Sequence, residues 1–328
     1  MKDKKDFDWS MHYFRAFAIV TIMAMHYCSS FGYPNAVNGL FHSSTIFFLF
    51  ISGYLCQFID TKHRESPIIY YRKKLLNVIC PFLTFSVIIG LIKGIAGFNA
   101  MFVKEVLFGR VQGQYWYIPF VSFLFAASPF VCRLSNSRLL LLTSISLLAF
   151  VIFPIRPGGF ALEWPHFFYL YAYFSVFYLI GFVYCRFKCN IDVVLSKYKI
   201  AAGVCAILIT TLFWLASPLG LAIVAYDLLV GIQKALFTML AIIVLMRLKD
   251  KRIWVLDQLA KYSFTLYFIH YGVFAKSHKF HDYIVSNSPL PDCCDDVIAF
   301  TIYVTVMLAA AIVVKKILGK FSRSIIWA

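Results

Sequence analysis

The sequence predicts an all-α, polytopic membrane protein with about ten transmembrane helices. Hydrophobic residues occupy 61% of the 328 positions, and charged residues occupy only 14%. Soluble domains average about 45–50% apolar and about 25% charged residues. The mean hydropathy is +0.78, and aromatic residues, at 19%, fit interfacial belts and large buried faces. Composition therefore excludes an ordinary soluble enzyme.

Ten apolar segments account for the individual helices. Each approaches the length of about 20 residues that a helix needs to cross a bilayer. The segments lie near residues 11–31, 40–59, 75–97, 115–132, 139–155, 167–185, 200–216, 224–246, 257–275 and 297–314. The first run is too long for a signal peptide, so we expect it to be retained. We interpret residues 1–328 as a single transmembrane domain with no fused soluble domain.

The basic residues predict the orientation of the helices. If the N-terminus lies in the cytoplasm, most of the 31 Lys and Arg residues fall in cytoplasmic loops, as the positive-inside rule requires. With ten spans, the C-terminus is then cytoplasmic as well. The net charge of +16 is explained by topology and by anionic lipid, without nucleic acid. The basic residues in loops on the opposite side are Lys93, Lys104, Arg110, Arg156, Lys276 and Lys279.

Arg15 and His26 are two ionisable residues inside the first apolar segment. Such residues are costly at membrane depth, so a functional role is the default hypothesis. At about 100° and about 1.5 Å per residue, they share one helix face about 16 Å apart. Arg binds phosphate and His accepts a proton near neutral pH, so the pair suits an acyl-coenzyme A. Alternatively, Arg15 snorkels to the headgroups and His26 hydrogen-bonds a neighbouring helix.

Other segments carry weaker signals. Ser52 and Gly53 in the second segment permit close approach between helices. The basic cluster before the third span suits the binding of a phosphate or anchoring to lipid. Trp116 and Tyr117 fit an interfacial belt. The ninth span contains a second intramembrane histidine, on the helical stripe of Ser263, Tyr267 and His270. The basic cluster consists of Arg72, Lys73 and Lys74.

Asp227 and Lys234 share a face of the eighth segment. Because a charged pair is costly in lipid, we expect the two residues to face the bundle interior, where a structural ion pair is one interpretation. No zinc-ligand spacing appears among the nine cysteines, so no metal is expected.

In this order, the segments resemble the bacterial acyltransferase-3 family of ten-helix membrane O-acyltransferases. The resemblance spans most of the chain. It rests on Arg15 and His26 at R-x10-H spacing, Phe47-Phe48 with Ser52-Gly53-Tyr54, Tyr71-Arg72-Lys73-Lys74 with Pro81, Trp116-Tyr117 with Ser128-Pro129, and Ser263, Tyr267 and His270.

The resemblance implies an O-acetyltransferase of the bacterial cytoplasmic (inner) membrane. The donor would be acetyl-CoA, and the acceptor a sugar hydroxyl on a surface polysaccharide or its lipid-linked precursor, such as the O-antigen of lipopolysaccharide or a capsule. Arg15 and His26 correspond to the pair that uses the donor. Arg72, with Lys73 and Lys74, corresponds to a basic cluster also needed for activity.

Three positions depart from the family pattern. His12 stands where many members have Asp, Lys73 and Lys74 stand where many have Arg, and Gln114 replaces a common His. Lysine is a point charge, so the second departure weakens bidentate phosphate binding by that cluster.

The expected mechanism is acyl transfer from the donor to the acceptor hydroxyl. Arg15, helped by Arg72 and Lys73, anchors the donor phosphates. His26 acts as general base on the acceptor hydroxyl or carries the acyl group transiently.

Further residues have possible roles in substrate binding. Trp116 and Tyr117 are candidates for stacking on a sugar ring. Ser52 and Tyr267 are candidates for stabilising the oxyanion. His270 is a further candidate for substrate binding.

Two other functions remain open from the sequence. Ten helices with intramembrane Arg, His, Asp and Lys are compatible with a secondary transporter or glycan exporter, although no inverted repeat is present. A polyprenol-linked glycosyltransferase would need acidic residues near the bilayer, for which Glu163, Asp227 and Asp257 are the candidates.

Overall fold

A computed structural model describes residues 8–33, 35–63, 66–95, 100–153, 166–216, 223–287 and 292–319. Of these residues, 89% are helical and none forms a strand, which confirms the all-α prediction for the described part of the chain. Both termini, whose cytoplasmic location was predicted, lie outside the described residues. So do Arg156, counted among the residues on the opposite side, and the candidate acid Glu163.

The helices follow one another with short connections. A π-helical turn at Leu75–Ile79 joins α4 to α5, and a 3₁₀ turn at Gly113–Trp116 leads into α7. The α-helices are α1 (Trp9–Ser30), α2 (Asn35–Phe41), α3 (Thr45–His63), α4 (Pro67–Lys74), α5 (Cys80–Ile92), α6 (Ala100–Leu107), α7 (Tyr117–Cys132), α8 (Asn136–Ile152), α9 (His166–Arg186), α10 (Lys188–Lys197), α11 (Lys199–Ala216), α12 (Ile223–Met246), α13 (Trp254–Lys276), α14 (His278–Asn287) and α15 (Asp292–Leu318).

All ten predicted segments coincide with helices, but fewer helices are long and apolar enough to cross a membrane unaided. Among the described residues five qualify, and α9 with α10 adds a sixth if this pair, bent by 98°, is one span. A multi-pass membrane protein is supported, while ten spans and the sides of the termini stay predictions. The five are Gly39–Lys62, Pro67–Ile92, Gly113–Cys132, Asp227–Met246 and Cys294–Leu318.

Capping residues determine where several helices begin. The Asp8 side chain accepts hydrogen bonds from the backbone N–H groups of Ser10 and Met11, at 3.1 and 3.4 Å. Ser66 caps α4, which starts on Pro67, and Ser135 caps α8. These side chains satisfy N–H groups that have no partner within the helix, and proline at the first turn loses no hydrogen bond.

Close backbone contact between α3 and α9 forms one centre of the fold. A Cβ atom added at Gly53 would lie 2.0 Å from the carbonyl oxygen of Tyr178, and one added at Gly181 would lie 2.1 Å from that of Phe50. The two glycines therefore allow the helices to touch, as small residues do between membrane helices. This confirms the packing interpretation of Gly53.

Lys234 is fully buried in α12, as expected for a residue facing the interior. Its ammonium donates to the carbonyl oxygen of Leu40 at 2.6 Å and to the Gln233 side chain at 2.9 Å. No ion pair joins it to Asp227 within the described residues, so the ion-pair interpretation is wrong. The reason is that the last carbonyl groups of α2 have no partner in their own helix and face this ammonium.

We predict that Gly53→Ala destabilises the protein. The added methyl group collides with backbone of α9, which cannot rotate away as a side chain can, and overpacking of this kind costs about 1–3 kcal/mol. Thermal unfolding in detergent measures the effect as a lower midpoint. Gly203→Ala in α11 is the matched control, because a Cβ there meets nothing within 4 Å. Equal unfolding midpoints for the two variants would contradict the prediction that the close α3–α9 contact contributes to the stability of the protein.

Candidate functional site

Polar contacts between α1 and α13 organise the site. His12 Nε2 lies 3.0 Å from Asp257 Oδ1, and an Arg15 guanidinium nitrogen donates to the Ser263 hydroxyl at 3.2 Å. Farther along both helices, the rings of His26 and His270 are 5.0 Å apart between centroids. Residue numbers rise together on the two helices, so α1 and α13 run parallel.

Asp257 joins α1 to α13 at the beginning of both helices. It is 1% exposed, and its carboxylate also accepts from Arg252 at 2.9 Å and from Lys261 at 2.8 Å. His12, which departs from the family pattern, thus has an acidic partner on another helix. Because the carboxylate is held by three basic side chains, Asp257 is poorly suited to the glycosyltransferase role.

A cavity of about 460 Å³ lies beside Arg15. Its walls are mainly apolar, with basic side chains at the border formed by α4. The lining residues are Arg15, Phe48, Ile51, Ser52, Leu55, Ile59, Tyr70, Lys73, Lys74, Asn77, Val78, Tyr117, Val121, Phe125 and Phe264. Four separate parts of the sequence therefore bring Arg15, Ser52, Lys73, Lys74 and Tyr117 to one cavity.

The basic border of the cavity is one face of α4 and the following turn. Tyr70, Lys73, Lys74 and Asn77 recur at helical spacing and all line the cavity. The Lys74 ammonium lies over the Phe125 ring, 3.6 Å from its centroid, in cation–π geometry. Arg72 is exposed and does not belong to the lining of the cavity.

Tyr117 and Trp116 differ in their surroundings although they are adjacent in sequence. Tyr117 lines the cavity together with Ser52. Trp116 is 7% exposed and packs on the rings of Phe120 and Phe174. Of the two candidates for stacking on a sugar, only Tyr117 therefore lines this cavity.

His26 and His270 form a second polar group, outside the lining of this cavity. His26 is half-buried and also contacts the Tyr271 ring edge-to-face, at 5.3 Å between centroids. His270 is fully buried, with Nδ1 3.0 Å from the carbonyl oxygen of Leu266. The Tyr267 hydroxyl donates to the carbonyl oxygen of Gln114, which brings the 3₁₀ turn against this part of α13.

Successive aromatic ring contacts connect the cavity to the histidine pair. The Tyr117 ring lies 5.8 Å from the Tyr267 ring, and the latter lies 6.0 Å from the His270 ring, between centroids. Arg15 thus lines the cavity, and His26 lies outside its lining on the same helix.

Several residues of the site have no counterpart among the sequence-based candidates. Tyr70 and Asn77 line the cavity, Phe264 closes one wall, and Tyr271 contacts His26. Tyr70 and Asn77 could have been predicted, because each lies three or four positions from Lys73 or Lys74 and therefore shares their helix face. Phe264 and Tyr271 gave no signal, because aromatic residues are common throughout this sequence.

Comparison with known proteins gives one match. A sequence model of the family described as "Acyltransferase domain" (Acyl_transf_3) matches residues 8–316, which include every site residue above. No curated protein and no solved structure matches the chain.

We predict that Asp257→Asn lowers stability. The substitution leaves a buried amide among three basic side chains, and loss of such hydrogen bonds costs about 1–3 kcal/mol. A lower thermal unfolding midpoint in detergent is the expected readout. Asp282→Asn serves as the control, since that carboxylate is 75% exposed. A midpoint equal to that of the control would contradict the structural role of Asp257.

Proposed function

Because the chain belongs to the acyltransferase-3 family and is a membrane acyltransferase, we propose that it transfers an acetyl group from acetyl-CoA to a sugar hydroxyl. The acceptor is a cell-surface polysaccharide or its lipid-linked precursor, of the O-antigen or capsule type. The enzyme works in the bacterial cytoplasmic membrane, where its substrates are the acyl-CoA and the glycan. It needs no metal for this reaction.

One observation carries the proposal: Arg15 lies in a mainly apolar cavity with Lys73 and Lys74, on the helix that also carries His26. Acetyl-CoA combines a phosphorylated head with a long arm and a thioester. Basic side chains at one border suit its phosphates, and apolar walls suit the arm. The volume of about 460 Å³ falls within the usual range for small-molecule sites.

In this proposal the basic residues contribute unequally. Arg15 supplies a planar, permanently charged group at the inner wall, while Lys73 and Lys74 act as point charges at the border. Arg72 lies outside the cavity and contributes only to the field that attracts the anionic donor before binding.

His26 performs the chemical step. As a general base, it accepts the proton of the acceptor hydroxyl while the hydroxyl oxygen attacks the thioester carbon. The carbon–sulfur bond breaks, and the same proton passes to the departing sulfur of coenzyme A. In the covalent alternative, the His26 nitrogen attacks the thioester carbon, the carbon–sulfur bond breaks and coenzyme A leaves as the thiolate. The acceptor oxygen then attacks the acyl carbon, the bond to the ring nitrogen breaks, and the hydroxyl proton passes to the thiolate.

The developing oxyanion needs hydrogen-bond donors near the thioester. Ser52 is well placed, because its side chain lines the cavity beside Tyr117. Tyr267 already donates to the Gln114 carbonyl and would have to exchange that partner. Tyr117 is the stacking residue in this scheme. Trp116 would join it only after leaving its packing with Phe120 and Phe174.

We predict that His26→Ala abolishes transfer of labelled acetyl groups to a glycan. Loss of a general base or nucleophile costs about 10²–10⁴ in rate. The assay follows label from acetyl-CoA into membrane glycans by mass spectrometry, with folding checked by size-exclusion chromatography. His278→Ala is the control, because His278 is exposed on α14. Label in glycans at the wild-type rate would refute the assignment, and an unlabelled glycan with the wild-type protein would favour a transporter.

We also predict that Lys74→Gln raises KM for acetyl-CoA by about 10–100-fold, since a hydrogen bond to a charged group contributes about 1.5–3 kcal/mol. The same assay at varied donor concentration measures this, and kcat should change little. Lys197→Gln, an exposed residue on α10, is the control. An unchanged KM would show that the phosphates of acetyl-CoA do not bind at the α4 border of the cavity.

A further inference from the structure

His270 holds a defined tautomer. Its Nδ1 lies 3.0 Å from the carbonyl oxygen of Leu266, one turn earlier in α13. A carbonyl oxygen only accepts hydrogen bonds, so Nδ1 must carry the ring proton. In the neutral ring, Nε2 then carries a lone pair and can only accept a hydrogen bond.

That lone pair is buried without a partner. His270 is fully buried, and its Nε2 contacts no hydrogen-bond donor among the described residues. Buried polar atoms are almost always paired, and exceptions call for an explanation. The Gln114 side chain, 2% exposed in the adjoining 3₁₀ turn, likewise has both amide atoms without a partner in the described structure. This part of α13 and the adjoining turn thus contain buried polar atoms without partners on both His270 and Gln114.

The nearest ring that another described helix places against His270 is that of His26. Their centroids are 5.0 Å apart and the rings are inclined by 44°. A centroid separation of 5.0 Å is compatible with the usual hydrogen-bond distance of about 2.8–3.2 Å between two nitrogens when a nitrogen of each ring points at the other ring. The titratable groups nearby on α13 are Tyr267, against His270, and Tyr271, against His26.

We propose that His270 is a positioning residue whose Nε2 accepts the N–H of His26 and so fixes the reactive tautomer of that ring. The inference rests on the proposed function. It holds for both versions of the chemical step, because general base and nucleophile alike need a lone pair on the reacting nitrogen. The other nitrogen must then carry the proton, and His270 accepts it in a hydrogen bond.

The proton balance follows directly. When His26 takes the acceptor proton, the imidazolium has two N–H groups, one toward the reacting centre and one toward His270. The first proton passes to the departing sulfur, and the second stays on His26 throughout. His270 remains neutral and neither gains nor loses a proton. Its role parallels that of a group that orients a catalytic base without reacting.

Three variants test this role. His270→Gln keeps a side-chain acceptor, whereas His270→Phe and His270→Met keep volume without a strong acceptor. We expect kcat of His270→Phe to fall about 10²-fold with KM for acetyl-CoA unchanged, and His270→Gln to recover most of the loss. A merely structural role would lower folded yield or raise KM and would not distinguish Gln from Phe. If His270→Phe does not fold, the comparison of Gln with Met gives the same contrast.

The measurement is transfer of label from acetyl-CoA to glycan by the purified full-length protein in lipid nanodiscs, with His278→Phe as the control. Activity of His270→Phe equal to wild type, with His26→Ala inactive, would overturn the inference and leave the proposed function intact. Equal loss in His270→Gln and His270→Phe, both folded, would also overturn it. Absence of transfer by the wild-type protein would overturn the proposed function itself, and the inference with it.

Discussion

The structure depends on the parallel packing of α1 against α13 and on the need to pair ionisable groups within an apolar interior. In a bilayer, water cannot satisfy such groups, so each must find a partner on a neighbouring helix. Asp257 meets His12, Arg15 meets Ser263, and His26 faces His270. The contacts that satisfy these residues also fix the register of the two helices, and therefore the position of every candidate group on them.

Two polar regions result, with different characters. The cavity beside Arg15 has basic groups, apolar walls and open volume, which suit the binding of an anionic, elongated ligand. In the histidine pair, His270 is fully buried and its Nε2 has no partner among the described residues, while the facing His26 is half-buried. The Tyr267 ring connects the two regions, because it contacts the Tyr117 ring at the cavity and the His270 ring of the pair.

Much of this site was predictable, because helical spacing is a local property. The shared face of Arg15 and His26, the proximity of Ser263 and His270 on one stripe, and the close approach at Gly53 all follow from 3.6 residues per turn and residue size. The partner of Lys234 was not predictable. Its ammonium meets carbonyl groups of α2, nearly 200 positions away, and the apparent match with Asp227 on the same face was misleading.

By itself, the sequence determined the all-α class, the membrane environment and the helix that carries Arg15 and His26, because composition and periodicity act over short stretches. Only the tertiary structure decided that Lys73 and Lys74 border the cavity while Arg72 does not, that Trp116 is packed away, and that a buried histidine faces His26. Such relations depend on the rotation and depth of one helix against another. Those are fixed by many packing contacts together, so no single segment encodes them.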